Sequence, residues 1–107
     1  MPIRVVLTRD YAHMSEAAAG LVKASIIELS KTKKEVVLGL ATGRSPAGMY
    51  KHLAGAANDG EFDSGRIRSF NLDEYVGLPG ENPQQRIMRP QSYCYFMIQE
   101  FFGLLKK

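Results

Sequence analysis

The chain has 107 residues, of which 45% are hydrophobic and 23% charged, which is ordinary for one small globular domain. Its formal net charge of +3 comes from 14 basic and 11 acidic residues spread along the sequence. A nucleic-acid-binding arm would show a sustained basic face interleaved with exposed aromatic residues. We therefore expect no nucleic-acid partner, and we expect the lysines of 31–34 and 106–107 to be solvated.

One cysteine and two histidines limit the chemistry that the chain can carry. Cys94 has no partner for an intramolecular disulfide, and His13 and His52 lack metal-ligand spacing, so we expect a reducing compartment and no metal site. Cys94 is expected to be a small buried residue. No apolar run reaches the roughly 20 residues that span a bilayer, and no charged-then-apolar leader opens the chain. These features predict a cytoplasmic protein with no membrane partner.

The first part of the chain alternates strand-like and helix-like patterns. Residues 3–7 are rich in β-branched side chains and predict a first strand. Residues 14–29 carry apolar side chains at intervals of three and four, which predicts an amphipathic helix. The continuous apolar run 36–41 then predicts a second strand that is buried on both faces.

A second helix and a third strand follow. Ser45 is suited to cap the second helix and Pro46 to occupy its first position. Residues 66–72 predict the third strand, 73–90 a polar, proline-rich loop, and 91–105 an amphipathic segment whose aromatic side chains enter the core. This order predicts an α/β fold with a parallel sheet flanked by helices.

A polar turn follows the second predicted strand, at the edge where open parallel sheets bind ligands. Thr42, Gly43, Arg44 and Ser45 combine hydroxyls, a guanidinium, a glycine and the free amides of a helix N-terminus, which suits a phosphate group. The spacing is neither that of a Walker loop nor that of a dinucleotide-binding turn. A plain strand-to-helix turn, with Ser45 as a simple cap, would use the same residue types.

Two carboxylates, Asp73 and Glu74, end the third predicted strand. Burial of a charge is costly unless the charge is paired, so an acidic residue beside a core strand commonly caps, binds or transfers a proton. The alternative is that Asp73 caps a turn and Glu74 is simply exposed.

Three segments resemble the glucosamine-6-phosphate deaminase family: LGLATGRSP at 38–46, SFNLDEYVGL at 69–78, and PQSY at 90–93 followed by YFM at 95–97. The similarity covers nearly the whole chain in the right order. It implies the modified Rossmann-like sheet that the family shares with 6-phosphogluconolactonases and ribose-5-phosphate isomerases.

The resemblance also implies a reaction in amino-sugar metabolism. Asp73 would be the general base that takes the C2 proton of open-chain glucosamine 6-phosphate and returns it at C1, so that isomerisation precedes the release of ammonia and fructose 6-phosphate. The phosphate would be held by Thr42, Gly43, Arg44 and Ser45, Glu74 would be a further substrate-binding residue, and no cofactor or metal would be needed.

Some positions depart from the family pattern. Arg89 stands where histidine is common, the loop 82–88 is longer than usual, and Arg44 replaces a smaller residue, so that it either adds a phosphate contact or obstructs the sugar. Family members also continue well beyond this length. The resemblance therefore implies that 1–107 is a single partial domain, the N-terminal portion of a longer sugar-phosphate isomerase.

The missing length bears on activity and assembly. We expect the 107-residue chain alone to be inactive, and to form a homo-oligomer or associate with the missing C-terminal part. The alternatives are a 6-phosphogluconolactonase-like hydrolase, a non-catalytic sugar-phosphate-binding module and a truncated fragment.

Overall fold

A computed structural model describes residues 3–74, 76–89 and 91–106, except for the side chain of Ile87. Helices and strands alternate, which confirms the α/β class. No helix in these ranges is long and apolar enough to cross a membrane. In chain order the elements are α1 (Tyr11–Ser30), β1 (Val36–Leu40), α2 (Arg44–Asn58), a 3₁₀ turn (Ser64–Arg66), β2 (Ile67–Asn71), α3 (Pro83–Ile87), α4 (Tyr93–Glu100) and a last 3₁₀ turn (Phe102–Leu104).

The sheet is a parallel pair, as predicted. Val36 of β1 lies opposite Ile67 of β2, and Leu40 lies opposite Asn71. The N–H of Leu72 also donates to the carbonyl of Leu40 at 3.1 Å, which extends the pairing one residue past β2. Because the two strands run in the same direction, the segments that follow them leave the sheet at one edge.

Helix α1 presents a narrow apolar face to α2. It begins after Asp10, whose carboxylate accepts the N–H of His13 at 2.8 Å and caps the first turn. Its buried residues Ser15, Ala19 and Ile26 recur at spacings of four and seven, and so lie on one side of the helix. The predicted helix over 14–29 is therefore confirmed and is a few residues longer at its N-terminus.

The core lies where α2 meets α1, β1 and the C-terminal segment. Tyr50 and Leu53 of α2 are buried, and the ring of Tyr50 stacks on that of Phe101 with centroids 5.4 Å apart. Helices α1 and α2 approach closely at Gly48, where an added Cβ would lie 2.3 Å from the hydroxyl oxygen of Ser15. The close packing of α1 against α2 therefore requires a glycine at this position.

The predicted core role of the C-terminal aromatic residues is confirmed for the phenylalanines. Phe101 is buried, and Phe96 and Phe102 pack against the core while partly buried. Tyr93, Tyr95 and Cys94 are half-buried, so Cys94 is less buried than predicted. The segment 91–105 divides into α4 and a 3₁₀ turn because Phe101 leaves helical geometry, with φ −138° and ψ −65°.

The prediction of a first strand at 3–7 is wrong in this structure. In the part of the chain described, the strands are β1 and β2, and residues 3–7 pair with neither of them. The side chains of Ile3 and Leu7 are each 89% exposed. A β-branched pattern favours extended backbone, but a strand forms only where a neighbour supplies hydrogen bonds.

Burial of the second predicted strand on both faces is also not observed. Val36 and Leu40 point into the core, whereas Val37 is 61% exposed. On β2, Phe70 is equally exposed. A parallel sheet buries both faces only when elements cover both, and the core described here covers one.

The start of α2 differs from the prediction by two residues. The helix begins at Arg44, and the residue before it, Gly43, has φ 110°. Ser45 and Pro46 are therefore the second and third helical residues, and no side chain caps this end. A glycine adopts this left-handed φ without steric cost, so the chain turns into the helix earlier than the Ser-Pro pattern indicates.

Candidate functional site

The structure places the two polar segments identified in the sequence at the same edge of the sheet. Residues 42–45, called the anion turn below, follow β1, and Asp73 and Glu74 follow β2. If the register of Leu40 opposite Asn71 is continued, Thr42 comes level with Asp73. Neighbouring strands are about 4.8 Å apart, so the anion turn and the carboxylates border one surface.

The anion turn has the geometry of a helix N-terminus that is free to bind a negative charge. Gly43 turns the chain, and the backbone N–H groups of Arg44 and Ser45 fall in the first turn of α2, where no intrahelical acceptor exists. The side chains of Arg44 and Ser45 are exposed, and that of Thr42 is half-buried. The 15-residue helix adds the positive end of its dipole at the same point.

Two tyrosine hydroxyls form hydrogen bonds to the backbone of the anion turn and its neighbours. The hydroxyl of Tyr50 donates to the carbonyl of Ala41, directly before the turn. The hydroxyl of Tyr11 donates to the carbonyl of Arg44 and accepts the N–H of Gly48 at 2.9 Å. Burial raises the pKa of the Tyr50 hydroxyl, so that it stays protonated and able to donate this hydrogen bond.

Neither tyrosine was identified from the sequence. Tyr11 lies 33 residues before Arg44, and no local pattern indicates that its hydroxyl reaches the anion turn. Tyr50 lies in the helix that begins at the turn, nine residues from Ala41. The sequence could have indicated Tyr50, because a tyrosine two turns into a helix that follows a strand can reach back to the end of that strand.

Asp73 is exposed at the end of β2, where a ligand on this edge can reach its carboxylate. The residue before it, Leu72, is tied to β1 by the hydrogen bond to Leu40. A carboxylate fixed by its backbone and open to solvent can accept a proton from a bound substrate. The predicted role of Asp73 as the base stays a prediction.

Glu74 contacts the N-terminus of α4. One of its carboxylate oxygens, Oε1, accepts the N–H of Tyr93 at 2.9 Å. The other, Oε2, accepts the hydroxyl of Ser92 at 2.6 Å and the N–H of Cys94 at 3.0 Å. The predicted contact of Glu74 with substrate stays a prediction, because the contacts present here are with the protein itself.

The two arginines at which the chain departs from the family pattern have different surroundings. Arg44 is exposed on the anion turn. Arg89 instead donates through Nε to the carbonyl of Pro79 at 2.8 Å. The unusual loop contains α3, which Asn82 caps by accepting the N–H of Gln85 at 2.9 Å. The Nε atom of Arg89 therefore links the two ends of the segment 79–89 and is not available to a ligand at the sheet edge.

A cavity of about 270 Å³ lies between α1 and α2, away from this edge. Its lining includes the ion pair between Lys23 and Glu61, 2.9 Å apart, together with the side chains of Glu16 and His52. The predicted site residues do not line it. Within the described ranges there is no group of three histidine, cysteine, aspartate or glutamate side chains that could hold a metal ion.

Comparison with curated proteins shows similarity to glucosamine-6-phosphate deaminases. The chain is 46% identical over 101 residues to the enzyme of Thermoanaerobacter sp. (strain X514), which covers 94% of this chain and 36% of that enzyme. It is 44% identical over 101 residues to the enzyme of Clostridium perfringens (strain ATCC 13124), and 44% identical over 100 residues to that of Halothermothrix orenii (strain H 168). In both cases 94% of this chain and 37% of the relative are covered. No protein-family model matches the chain.

A solved structure of a monomeric glucosamine-6-phosphate deaminase, described as a missing link of the NagB superfamily, superimposes with a TM-score of 0.76. It is 32% identical and covers 96% of this chain and 38% of its own. The described residues therefore have an α/β Rossmann-like fold. The chain spans little more than a third of the length of these relatives.

Proposed function

We propose that this chain forms part of a glucosamine-6-phosphate deaminase, in which Asp73 is the general base and the anion turn holds the substrate phosphate. The observation that carries the proposal is the shared edge: the anion turn and Asp73 follow two paired parallel strands. The 44–46% identity to proteins of that name, over 94% of the chain, supports the substrate class.

The proposed reaction needs a base and an anion site at opposite ends of one sugar. The phosphate ester is on carbon 6, and the proton moves from carbon 2 to carbon 1. A phosphate held at Gly43, Arg44 and Ser45 would fix one end of the open-chain sugar. The Asp73 carboxylate, on the neighbouring strand, would take the proton from C2 and deliver it to C1. Isomerisation leaves an imine at C2, and addition of water to this carbon then breaks the C–N bond, so that ammonia and fructose 6-phosphate are released without a cofactor.

The proposal also covers the partners and the location of the chain. Val37, Phe70 and Leu72 leave apolar side chains exposed on and beside the sheet. This exposure supports association with further polypeptide, either a second copy or additional chain, because a parallel sheet is normally covered on both faces. We also propose that the protein is cytoplasmic and that the whole enzyme is a hydrolase, since the reaction ends with cleavage of a C–N bond.

The test is Asp73→Asn in the full product of the gene, assayed for ammonia release from glucosamine 6-phosphate. The amide keeps the shape of the side chain but cannot accept the proton, so turnover should fall at least ~100-fold, as is usual when a general base is lost. Affinity for the substrate should stay within about three-fold, since the anion turn is unchanged. Turnover above about 1% of wild type would assign the base to another group.

The matched control is Asp59→Asn, which removes an exposed carboxylate at the opposite end of α2. It should leave turnover unchanged. Binding of the phosphate ester without turnover in the wild-type protein would contradict the enzyme and support a sugar-phosphate-binding module.

A further inference from the structure

The backbone of Asp73 is held on both sides. On one side, Leu72 donates its N–H to Leu40 at 3.1 Å, which attaches the chain to β1. On the other side, the side chain of Glu74 is bound to the N-terminus of α4. Asp73 is the single residue between these two attachments.

The attachment to α4 is a network rather than a single contact. Glu74 accepts from the Ser92 hydroxyl and from the N–H groups of Tyr93 and Cys94. The Ser92 hydroxyl oxygen in turn accepts the N–H groups of Cys94 and Tyr95, at 3.1 and 3.3 Å. A carboxylate at a helix N-terminus satisfies free N–H groups and complements the helix dipole. Hydrogen bonds to an ionised acceptor are the stronger kind.

We propose that Glu74 is a positioning residue, which orients Asp73 for proton transfer by fixing the end of β2 to α4 through Ser92. This inference rests on the proposed function, since it assumes that Asp73 is the base. It differs from the expectation that Glu74 binds the substrate. Both of its oxygens already accept hydrogen bonds from α4, which leaves little acceptor capacity for a sugar.

Ser92 allows the two roles of Glu74 to be separated. Its side chain is 1% exposed, so it does not touch a substrate at the sheet edge. If Glu74 acts through α4, removal of the Ser92 hydroxyl should impair the same step as removal of the Glu74 charge. If Glu74 binds the sugar directly, the Ser92 hydroxyl should matter little to catalysis.

The experiment is a double-mutant cycle with Glu74→Gln and Ser92→Ala in the full product of the gene. In Glu74→Gln one carboxylate oxygen becomes an NH₂ group that faces the donors of α4, so the network breaks at nearly constant volume. The measured quantities are kcat and KM for ammonia release from glucosamine 6-phosphate. Each kcat is expressed per folded molecule, with the folded fraction taken from the thermal unfolding curve of that variant.

We expect each single variant to lower kcat by about 10- to 100-fold, because a displacement of about 1 Å at a reacting group can cost that much. KM should change less than about three-fold, since the anion turn is intact. The double variant should be no more than about three-fold slower than the slower single variant, because both changes break one network. Glu81→Gln, an exposed carboxylate in the same loop, is the control and should behave as wild type.

Two results would overturn the inference. One is a normal kcat in Ser92→Ala with a slow Glu74→Gln. The other is a Glu74→Gln variant whose main defect is a raised KM, as expected for a lost substrate contact. The wild-type protein, assayed in parallel, tests the proposed function separately. If it releases no ammonia, the deaminase assignment fails and this inference with it, whereas an active wild type with either of the two results above refutes the positioning role alone.

Discussion

Tyr11→Phe tests whether the anion turn is positioned from α1. The substitution keeps the ring and removes only the hydroxyl, which bridges the carbonyl of Arg44 and the N–H of Gly48. If the anion turn holds the phosphate, loss of the Tyr11 hydroxyl should weaken binding of glucosamine 6-phosphate and leave binding of glucosamine unchanged. The variant should still fold, because α2 is helical from Arg44, and the N–H of Gly48 pairs with the carbonyl of Arg44 in a regular helix.

The size of the effect follows from the contacts. A typical intramolecular hydrogen bond contributes about 0.5–1.5 kcal/mol net. Tyr11 makes two such bonds, but it is 50% exposed, so water replaces much of what is lost. We therefore expect about 1 kcal/mol in total, and close to a five-fold weaker affinity for the phosphorylated sugar if that energy orders the turn.

Calorimetric titration of wild type and variant with both sugars measures this difference. Tyr95→Phe is the matched control, since it removes a hydroxyl from α4 and should alter neither affinity. Equal weakening for the two sugars would show that Tyr11 does not act through a phosphate site. An unchanged affinity for glucosamine 6-phosphate would show that its hydroxyl does not position the turn at all.

Two further predictions concern the anion turn and Cys94. Glucosamine should bind at least ~10-fold more weakly than its 6-phosphate, because charge-assisted hydrogen bonds contribute about 1.5–3 kcal/mol, and equal affinities in a titration would remove the phosphate assignment. The pH midpoint for alkylation of Cys94 should lie above that of the same thiol in denaturant. Burial, and to a smaller extent the negative charge of Glu74, raises the pKa of the thiol, so that less of the reactive thiolate forms at a given pH. In Glu74→Gln the midpoint should move down; an unchanged midpoint would show that this charge does not act on Cys94.

Much of the secondary structure could be predicted from local patterns. Apolar spacing of three and four placed the helix over 14–29, and the apolar run 36–41 and the strand-like run 66–72 contain the two strands that pair. The edge at which 42–45 and 73–74 meet follows from their parallel order. These features depend on which side chains avoid water over one or two turns, and a local sequence window records that preference.

Residues 3–7 show the limit of prediction from local sequence patterns. They have as strong a strand pattern as 66–72, yet they form no strand in this structure. The pattern indicates a preference for extended backbone and cannot state whether a neighbour will offer its N–H and carbonyl groups. The exposed Val37 likewise shows that an apolar run predicts burial only where another element covers that face.

The sequence by itself determined the α/β order and placed Asp73 and the anion turn at the ends of strands. Only the tertiary structure decided what holds them: the hydroxyl of Tyr11 from α1 on one side and the attachment of Glu74 to α4 on the other. These contacts join residues 33 and 18 positions apart. The physical reason is that helix and strand patterns repeat over a few residues, whereas a hydrogen bond between distant segments depends on how whole elements pack, which no local spacing encodes.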